Sequence, residues 1–353
     1  MTWDYFVDIS ENVRKIAQDY HRELKNLEDQ LKHAQDQHRN KIRDQIKQKK
    51  QELRELFSNF IREDVVSQTL VSPLVDYATV WFFLELPRKD DVRTEVYIPL
   101  AQEIHIDEPG KISDEIDFRP GFEHLASTHW LVLQVDFELL TPWYSKDDRL
   151  FHVLDNPVRK DRVFGVPFMA ASSWKGVLRW ACRMQEGLLD FLKKGKSFEK
   201  EWKDPAWILH LFGNEKGEEE NFRQGALVFY PTWFDKIGFE VINPHSRERR
   251  AGTQPIYYEV VLPGAKGTLS LLYAPWPGMK PEVKPEEVLS NLLEAIEVLL
   301  TAYGISAKRT VGWGAAKITT WHAFHKDHGY IQKGNHSDLW EEIQNWLPEG
   351  GVS

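Results

Sequence analysis

Between position 11 and about 63, apolar residues recur in steps of three and four: Val13, Ile16, Tyr20, Leu24, Leu27, Leu31 and Ala34, then Ile42, Ile46, Leu53, Leu56 and Phe60. That spacing draws one narrow stripe along a helix, close to the heptad period. The stretch has no Gly or Pro, and the rest of it is mostly Glu, Lys, Arg, Gln and Asp, which are good helix formers. At QDQHRNK, between Ala34 and Ile42, the stripe turns polar. One helix of roughly 70 Å, at 1.5 Å per residue, and a hairpin turning at that point both fit the pattern. So do two uses, a solvated coiled-coil arm and a docking helix for a partner subunit.

From about residue 71 the period changes. Strand-like runs stand at YATVWFFLEL and at THWLVLQVDFELLTPW, where alternation puts Leu131, Leu133, Val135 and Phe137 on one face. Between them EIHIDEPGKISDEIDFRPG reads as an acidic loop or small insertion. Residues 172–193 read as a helix with Ser172 and Ser173 supplying N-cap hydroxyls. Strands follow at GALVFYPTWF, PIYYEVVLPG and GTLSLLYAP. A helix at PEEVLSNLLEAIEVLLTAYG then carries Val288, Leu292, Ala295, Ile296, Leu299 and Leu300 in one stripe. This order, strand–helix–strands–helix–strand, predicts an α+β fold with helices on one face of a largely antiparallel sheet. The expected division is a helical arm at 1–70, one large domain at 71–330 and a tail at 331–353.

The 353 residues are 42% hydrophobic, enough for a real core and against disorder. No apolar run reaches the roughly 18 residues a membrane span needs, and MTWDYFVDISENVRK lacks a basic start leading into an apolar stretch. A soluble, cytoplasmic protein with no membrane partner is the expectation. A lone cysteine, Cys182, excludes an intramolecular disulfide framework or a multi-cysteine zinc cage. Forty-five basic against 54 acidic residues, net −9, would argue against nucleic acid if charge were spread evenly. It is not: residues 141–183 hold eight Lys/Arg against four aspartates, and a binding face needs only a local basic stripe.

The densest chemistry lies in LDNPVRKDRVFGVPFMAASSWKGVLRW, residues 154–180, an irregular segment that ends in a helix N-terminus. Such a terminus offers free amide N–H groups to an anion, and Lys175 and Arg179, four apart, suit successive phosphates. A plain structural helix with solvated cations accounts for the same residues. GISAKRTVGWGAAKI (304–318) combines three glycines with Lys308 and Arg309, so that a backbone can approach a ligand closely; a turn before a terminal strand is the alternative. In NPHSRERR (243–250) three arginines follow a turn, which suits phosphate contact or an ordinary surface loop. His322, His325 and His328 have a spacing that could face a metal from a helix, but no carboxylate pattern accompanies them and no metal site is expected. Serine-hydrolase, kinase and paired-cysteine zinc signatures are missing from the sequence.

Taken together and in order, these segments resemble the RAMP superfamily of CRISPR-associated proteins, in particular the subunits of type III effector complexes. LLTPW (139–143) resembles that family's strand-ending step, and Asp155-Asn156-Pro157-Val158-Arg159-Lys160-Asp161 its Asp-x-Pro-Val-x-x-Asp loop. GVPFMAASSWKGVLR (165–179) resembles the Gly-x-Pro segment with paired serines, with Ala170-Ala171 where the family has Pro-Gly. HLFG (210–213) with GALVFYP, then PIYYEVVLPGAKG, then GISAKRTVGWGAAKI continue the likeness over about 135–320. The NPH segment is more like a non-cleaving end subunit, and the arm at 1–65 lies outside the usual pattern.

The resemblance implies an RRM-like, ferredoxin-like sheet that binds guide (CRISPR) RNA through its backbone. The contacts would come from Arg159, Lys160, Ser172, Ser173, Lys175, Arg179, Arg247, Lys308, Arg309, Gly312 and Gly314. It implies target RNA and the other complex subunits as further partners. It also implies target-RNA cleavage at Asp155, with Mg2+ as the expected cation. A turn-forming Asp-Asn-Pro without catalytic duty is the rival for Asp155. Three functions therefore stand: a cleaving guide-RNA-binding subunit, a non-catalytic or capping subunit of the same kind, and a coiled-coil protein–protein adaptor. A repeat-RNA processing nuclease would want a histidine near the start of the domain, for which His152 is the nearest residue.

Overall fold

A computed structural model describes residues 19–20, 22–64, 92–103, 109–111, 117–122, 124–148, 152–161, 165–214, 223–243, 255–276 and 283–346. The expected strand at YATVWFFLEL and most of the acidic stretch after it lie outside these residues, as does Arg247. The chain divides into two compact units, one of residues 1–112, 146–167 and 235–261, the other of 113–145, 168–234 and 262–353.

The second unit is built on a five-stranded antiparallel sheet. Its strands are β1 (Leu131–Leu139), β3 (Leu227–Phe229), β7 (Lys266–Tyr273), β8 (Ala316–His325) and β9 (Gly329–Lys333), in spatial order β3-β7-β1-β8-β9. Helix α3 (Ala171–Gln185) joins β1 to β3, and α7 (Pro285–Val298) joins β7 to β8. The result is the ferredoxin-like strand–helix–strand–strand–helix–strand arrangement with β9 added at the edge. β1 is central because its period-two pattern buries Leu131, Leu133, Val135 and Phe137 on one face. Against that face pack Trp174 and Leu178 of α3 and Leu292 and Ile296 of α7, all fully buried. Trp174 also donates from Nε1 to Thr232 Oγ1 at 2.9 Å, which satisfies its one polar atom in the core. Thr232 belongs to a short strand, β4 (Thr232–Trp233), paired with β2 (Phe168–Met169).

Helix α3 begins one residue earlier than expected. Ala170 has the extended backbone of the N-cap and caps with no side chain, so Ser172 and Ser173 lie inside the first turn. The predicted helix to residue 193 breaks at Gly187, whose φ of 81° starts a separate turn, α4 (Leu188–Lys193). Two short helices follow, α5 (Phe198–Glu201) and α6 (Ala206–Phe212). α7 opens on Pro285 with Glu286 and Glu287 in its first turn, a favourable start for a helix, and widens into a π-helical turn at Leu299–Tyr303. A last helix, α8 (His336–Ile343), is capped by Asn335, which accepts from Asp338 N.

In the first unit the arm is a hairpin. Residues 22–33 are helical, Ala34 and Gln35 are not, and α1 (Asp36–Asp64) follows. Lys49 of α1 lies 2.6 Å from the Glu23 carboxylate and 4.8 Å over the Tyr20 ring, a contact that a continuous helix would forbid. Leu24 and Leu53 are buried there. The polar interruption in the stripe is thus the turn. A π-helical turn at Val92–Tyr97 leads into α2 (Ile98–Glu103), and a two-stranded ribbon joins β5 (Gly238–Ile242) to β6 (Ile256–Val260). Among the described residues no helix is long and apolar enough to cross a membrane.

Candidate nucleic-acid interface

In the sheet unit, the glycine-rich segment is seated on the end of β1. Leu140 and Thr141 donate their backbone N–H groups to Ala315 O, and Ala315 N donates to Thr141 Oγ1 at 2.9 Å. Trp143 Nε1 donates to Ile305 O at 3.1 Å, Tyr144 N donates to Ser306 Oγ at 3.0 Å, and Ala307 N donates to Tyr144 O at 2.8 Å. LLTPW and the terminal loop, far apart in sequence, therefore form one structure. Two of its glycines are required by contact: a Cβ on Gly314, at φ 88°, would lie 2.3 Å from Ser306 N, and one on Gly304 would lie 2.7 Å from Trp313 O. Gly312 has a positive φ too, but open space around it.

This loop carries two of the expected cations. Lys308 is half-buried, its backbone N–H directed to Ser306 Oγ. Arg309 lies with its guanidinium 4.3 Å over the Trp180 ring of α3, and Trp180 in turn meets Tyr303 edge-on at 4.9 Å. Nη1 of Arg309 is buried without a hydrogen-bond acceptor, and that burial lowers the group's pKa.

The start of α3 places Ser172 and Lys175 at the surface. Desolvation and the nearby Arg179 both lower the pKa of Lys175. Arg179 is not paired with Lys175 toward solvent, as the four-residue spacing suggested. It is buried, with Nη2 2.6 Å from Asp204, which also takes Nε of Arg183 at 2.6 Å and the indole N–H of Trp202 at 2.8 Å. Burial works to raise the Asp204 pKa, but these donors outweigh it and hold the carboxyl below its ordinary value. Cys182, on the inner face of the same helix, is buried and its thiol pKa is raised by desolvation.

The other unit holds Asp155, Arg159 and Lys160. Asp155 sits on a bend with 65% of its side chain exposed, and Arg93 Nη1 lies 3.9 Å from its carboxylate. Arg93 in turn lies 4.7 Å over the Tyr257 ring. The bend is fastened to β6: Asn156 Nδ2 donates to Tyr257 O, Glu259 N donates to Asn156 O, and Val158 N donates to a Glu259 carboxylate oxygen at 3.0 Å. Lys160 departs from its expected role. Its ammonium is fully buried against Glu259 and donates to Tyr97 Oη at 3.0 Å, while Tyr97 donates to Glu259 at 2.5 Å. It holds the loop instead of meeting solvent. Arg159 is half-buried, with Nε out of solvent and without an acceptor. His152 packs edge-on against Tyr97 at 5.4 Å and accepts from Leu154 N.

Sequence reasoning missed Glu259, Tyr97, Thr141 and Arg93. The first left a signal: a carboxylate directly before Val260 and Val261, in a strand with a buried end, demands a buried partner. The histidine trio is not helical. His322 and His325 lie on β8 and His328 in the turn after it; His322 Nε2 is 2.8 Å from Asp136 and Nδ1 2.8 Å from Tyr330 Oη. Among the described residues no three potential ligands gather around a metal position.

A family model described as the RAMP superfamily matches residues 136–317, just over half of the chain. Among solved structures the chain is similar to one in the "Cryo-EM structure of the Type III-B Cmr-beta bound to cognate target RNA". The two share 16% identity at a TM-score of 0.44, over 78% of this chain and 92% of that one. No curated protein matches.

Proposed function

We propose that this chain, which belongs to the RAMP superfamily, is a subunit of a type III CRISPR effector complex that holds guide RNA by its phosphate backbone. The observation that carries this reading is the loop 304–315, seated on Thr141 and Tyr144 and presenting Arg309 on the Trp180 ring. A rigid loop of close-packed backbone beside a stacked guanidinium recognises phosphate without reading bases. Lys308, Gly312, Gly314 and, on α3, Ser172, Ser173 and Lys175 complete the proposed contacts.

Target RNA is the second partner, and Asp155 the proposed catalytic residue. Its carboxylate takes the proton of a target 2′-hydroxyl as that oxygen attacks the adjacent phosphorus. The 5′-oxygen leaves with a proton from solvent, giving a cyclic phosphate and a 5′-hydroxyl. Arg159 faces the charge that develops on the phosphate. Asp155 would also suit Mg2+, which binds through one or two carboxylates together with phosphate oxygens and water and would supply charge neutralisation there. A second reading, a non-catalytic or capping subunit, is favoured by one observation, the approach of Arg93 to the same carboxylate.

The test is the assembled guide-RNA complex with the wild-type chain or Asp155→Ala, in magnesium. Loss of target cleavage with guide and target still bound supports the catalytic reading; unchanged cleavage leaves the capping one. A chain that neither binds single-stranded RNA nor assembles with guide RNA overturns both and leaves the protein–protein adaptor.

A further inference from the structure

The sheet face turned away from α3 and α7 carries a cleft that the proposed contacts do not use. The registers Val132–Phe324, Gln134–His322, Phe324–Tyr330 and His322–Gln332 place Phe324, His322, Tyr330 and Gln332 together on this face. Phe122 lies over it, edge-on to Tyr230 at 5.4 Å and 6.1 Å from Phe324. Between Phe122, His124 and Leu125 on one side and Phe324, Lys326 and Tyr330 on the other opens a space of about 480 Å³, within the range of small-ligand pockets.

Its main wall is preorganised. Tyr330 is 49% exposed and its ring centre is 4.7 Å from that of Phe324. Its hydroxyl donates to Gln332 Oε1 at 2.9 Å and lies 2.8 Å from His322 Nδ1, while His322 is itself held by Asp136. An exposed aromatic face fixed at its far end loses little freedom when something stacks on it. The rim is basic: Lys326 is exposed and reaches the Ala126 carbonyl at 3.2 Å, and none of the described lining residues is acidic. In a chain of net charge −9, an aromatic wall beside a cation complements a π-face that carries its own anion. An apolar peptide would offer Lys326 no opposite charge.

We infer that this cleft receives an unpaired base of single-stranded RNA, stacked on Tyr330, with Lys326 toward the neighbouring phosphate. The inference rests on the RNA-binding reading above and adds a site that tolerates any base while gripping the strand by its rings.

The experiment uses the full chain and a short single-stranded RNA with thiouridine at alternate positions. Affinity is measured by fluorescence anisotropy, and photo-crosslinks are mapped by mass spectrometry. Expected are crosslinks at Phe122, Phe324 or Tyr330 and a loss of about tenfold in affinity for Tyr330→Ala, within the range that removal of one stacking ring produces. Tyr330→Phe should restore most of that loss, and Lys326→Ala should reduce the salt dependence of binding. Wild-type binding with crosslinks confined to other surfaces and no effect of Tyr330→Ala would overturn the cleft and leave the RNA-binding reading standing. No RNA binding by the wild-type chain would overturn both. If Tyr330→Ala fails to fold by circular dichroism, the crosslink map of the wild-type chain and the Lys326→Ala titration decide.

Discussion

Lys160 and Glu259 close an ion pair with neither side chain exposed to solvent, and through it the Asp155 bend is tied to β6. Removing one charge strands the other. Glu259→Ala should therefore cost about 3–5 kcal/mol of stability in a denaturant titration. Glu259→Gln combined with Lys160→Met should cost clearly less, because Gln still accepts from Val158 N and no charge is left buried. Equal losses for the two proteins would show that the pair's charge is not what fastens the loop.

The Asp204 cluster sets an acid limit. The folded carboxyl titrates below its ordinary 3.8 because Arg183, Trp202 and Arg179 outweigh the effect of burial. Its contribution is complete above that pH and is lost as pH falls through the lower folded value. Asp204→Asn should reduce stability at neutral pH and flatten the dependence of the melting temperature on pH below about 4. A variant whose acid limb matched the wild type would mean that other carboxylates govern acid unfolding.

Two neighbouring glycines should answer differently to alanine. At Gly312 only the left-handed backbone is strained, for about 1–2 kcal/mol. At Gly314 the same strain is joined by a Cβ 2.3 Å from Ser306 N, so the loop must leave its seat on β1. Thermal melts should rank Gly314→Ala well below Gly312→Ala. RNA affinity should fall for the first even at temperatures where both are folded.

The arm can be measured directly. Spin labels at exposed positions near residues 23 and 49 should report a separation under about 20 Å if the Glu23–Lys49 contact holds in solution. A continuous helix would separate those positions by roughly 39 Å. Leu24→Ala should broaden the short distance without shifting the main melting transition.

The sheet and its two long helices were legible because burial writes a period into the chain: alternation in β1, steps of three and four in α7. What escaped was pairing across distance. Nothing local distinguishes Lys160, which faces Glu259 about a hundred positions on, from Arg159 beside it; both sit in a loop of alternating charge. Arg179 and Lys175 share a helix face, yet Asp204 draws in only the nearer one. The histidines at 322, 325 and 328 keep a helical spacing by accident, since Trp321, Ala323 and His325 point inward by the strand period. Serines at 172 and 173 looked like caps because residue type alone does not reveal that Ala170 already has the extended backbone.

The bond from Ala315 to Thr141 spans 174 positions of the chain. On a ribosome, where domains assemble as the polypeptide emerges, β1 is made early and waits for its neighbour. The loop gains its seat only after residues beyond 315 have been released. A growing chain thus holds three strands of the five-stranded sheet, β1, β3 and β7, while the end of β1 still lacks the loop that will sit on it.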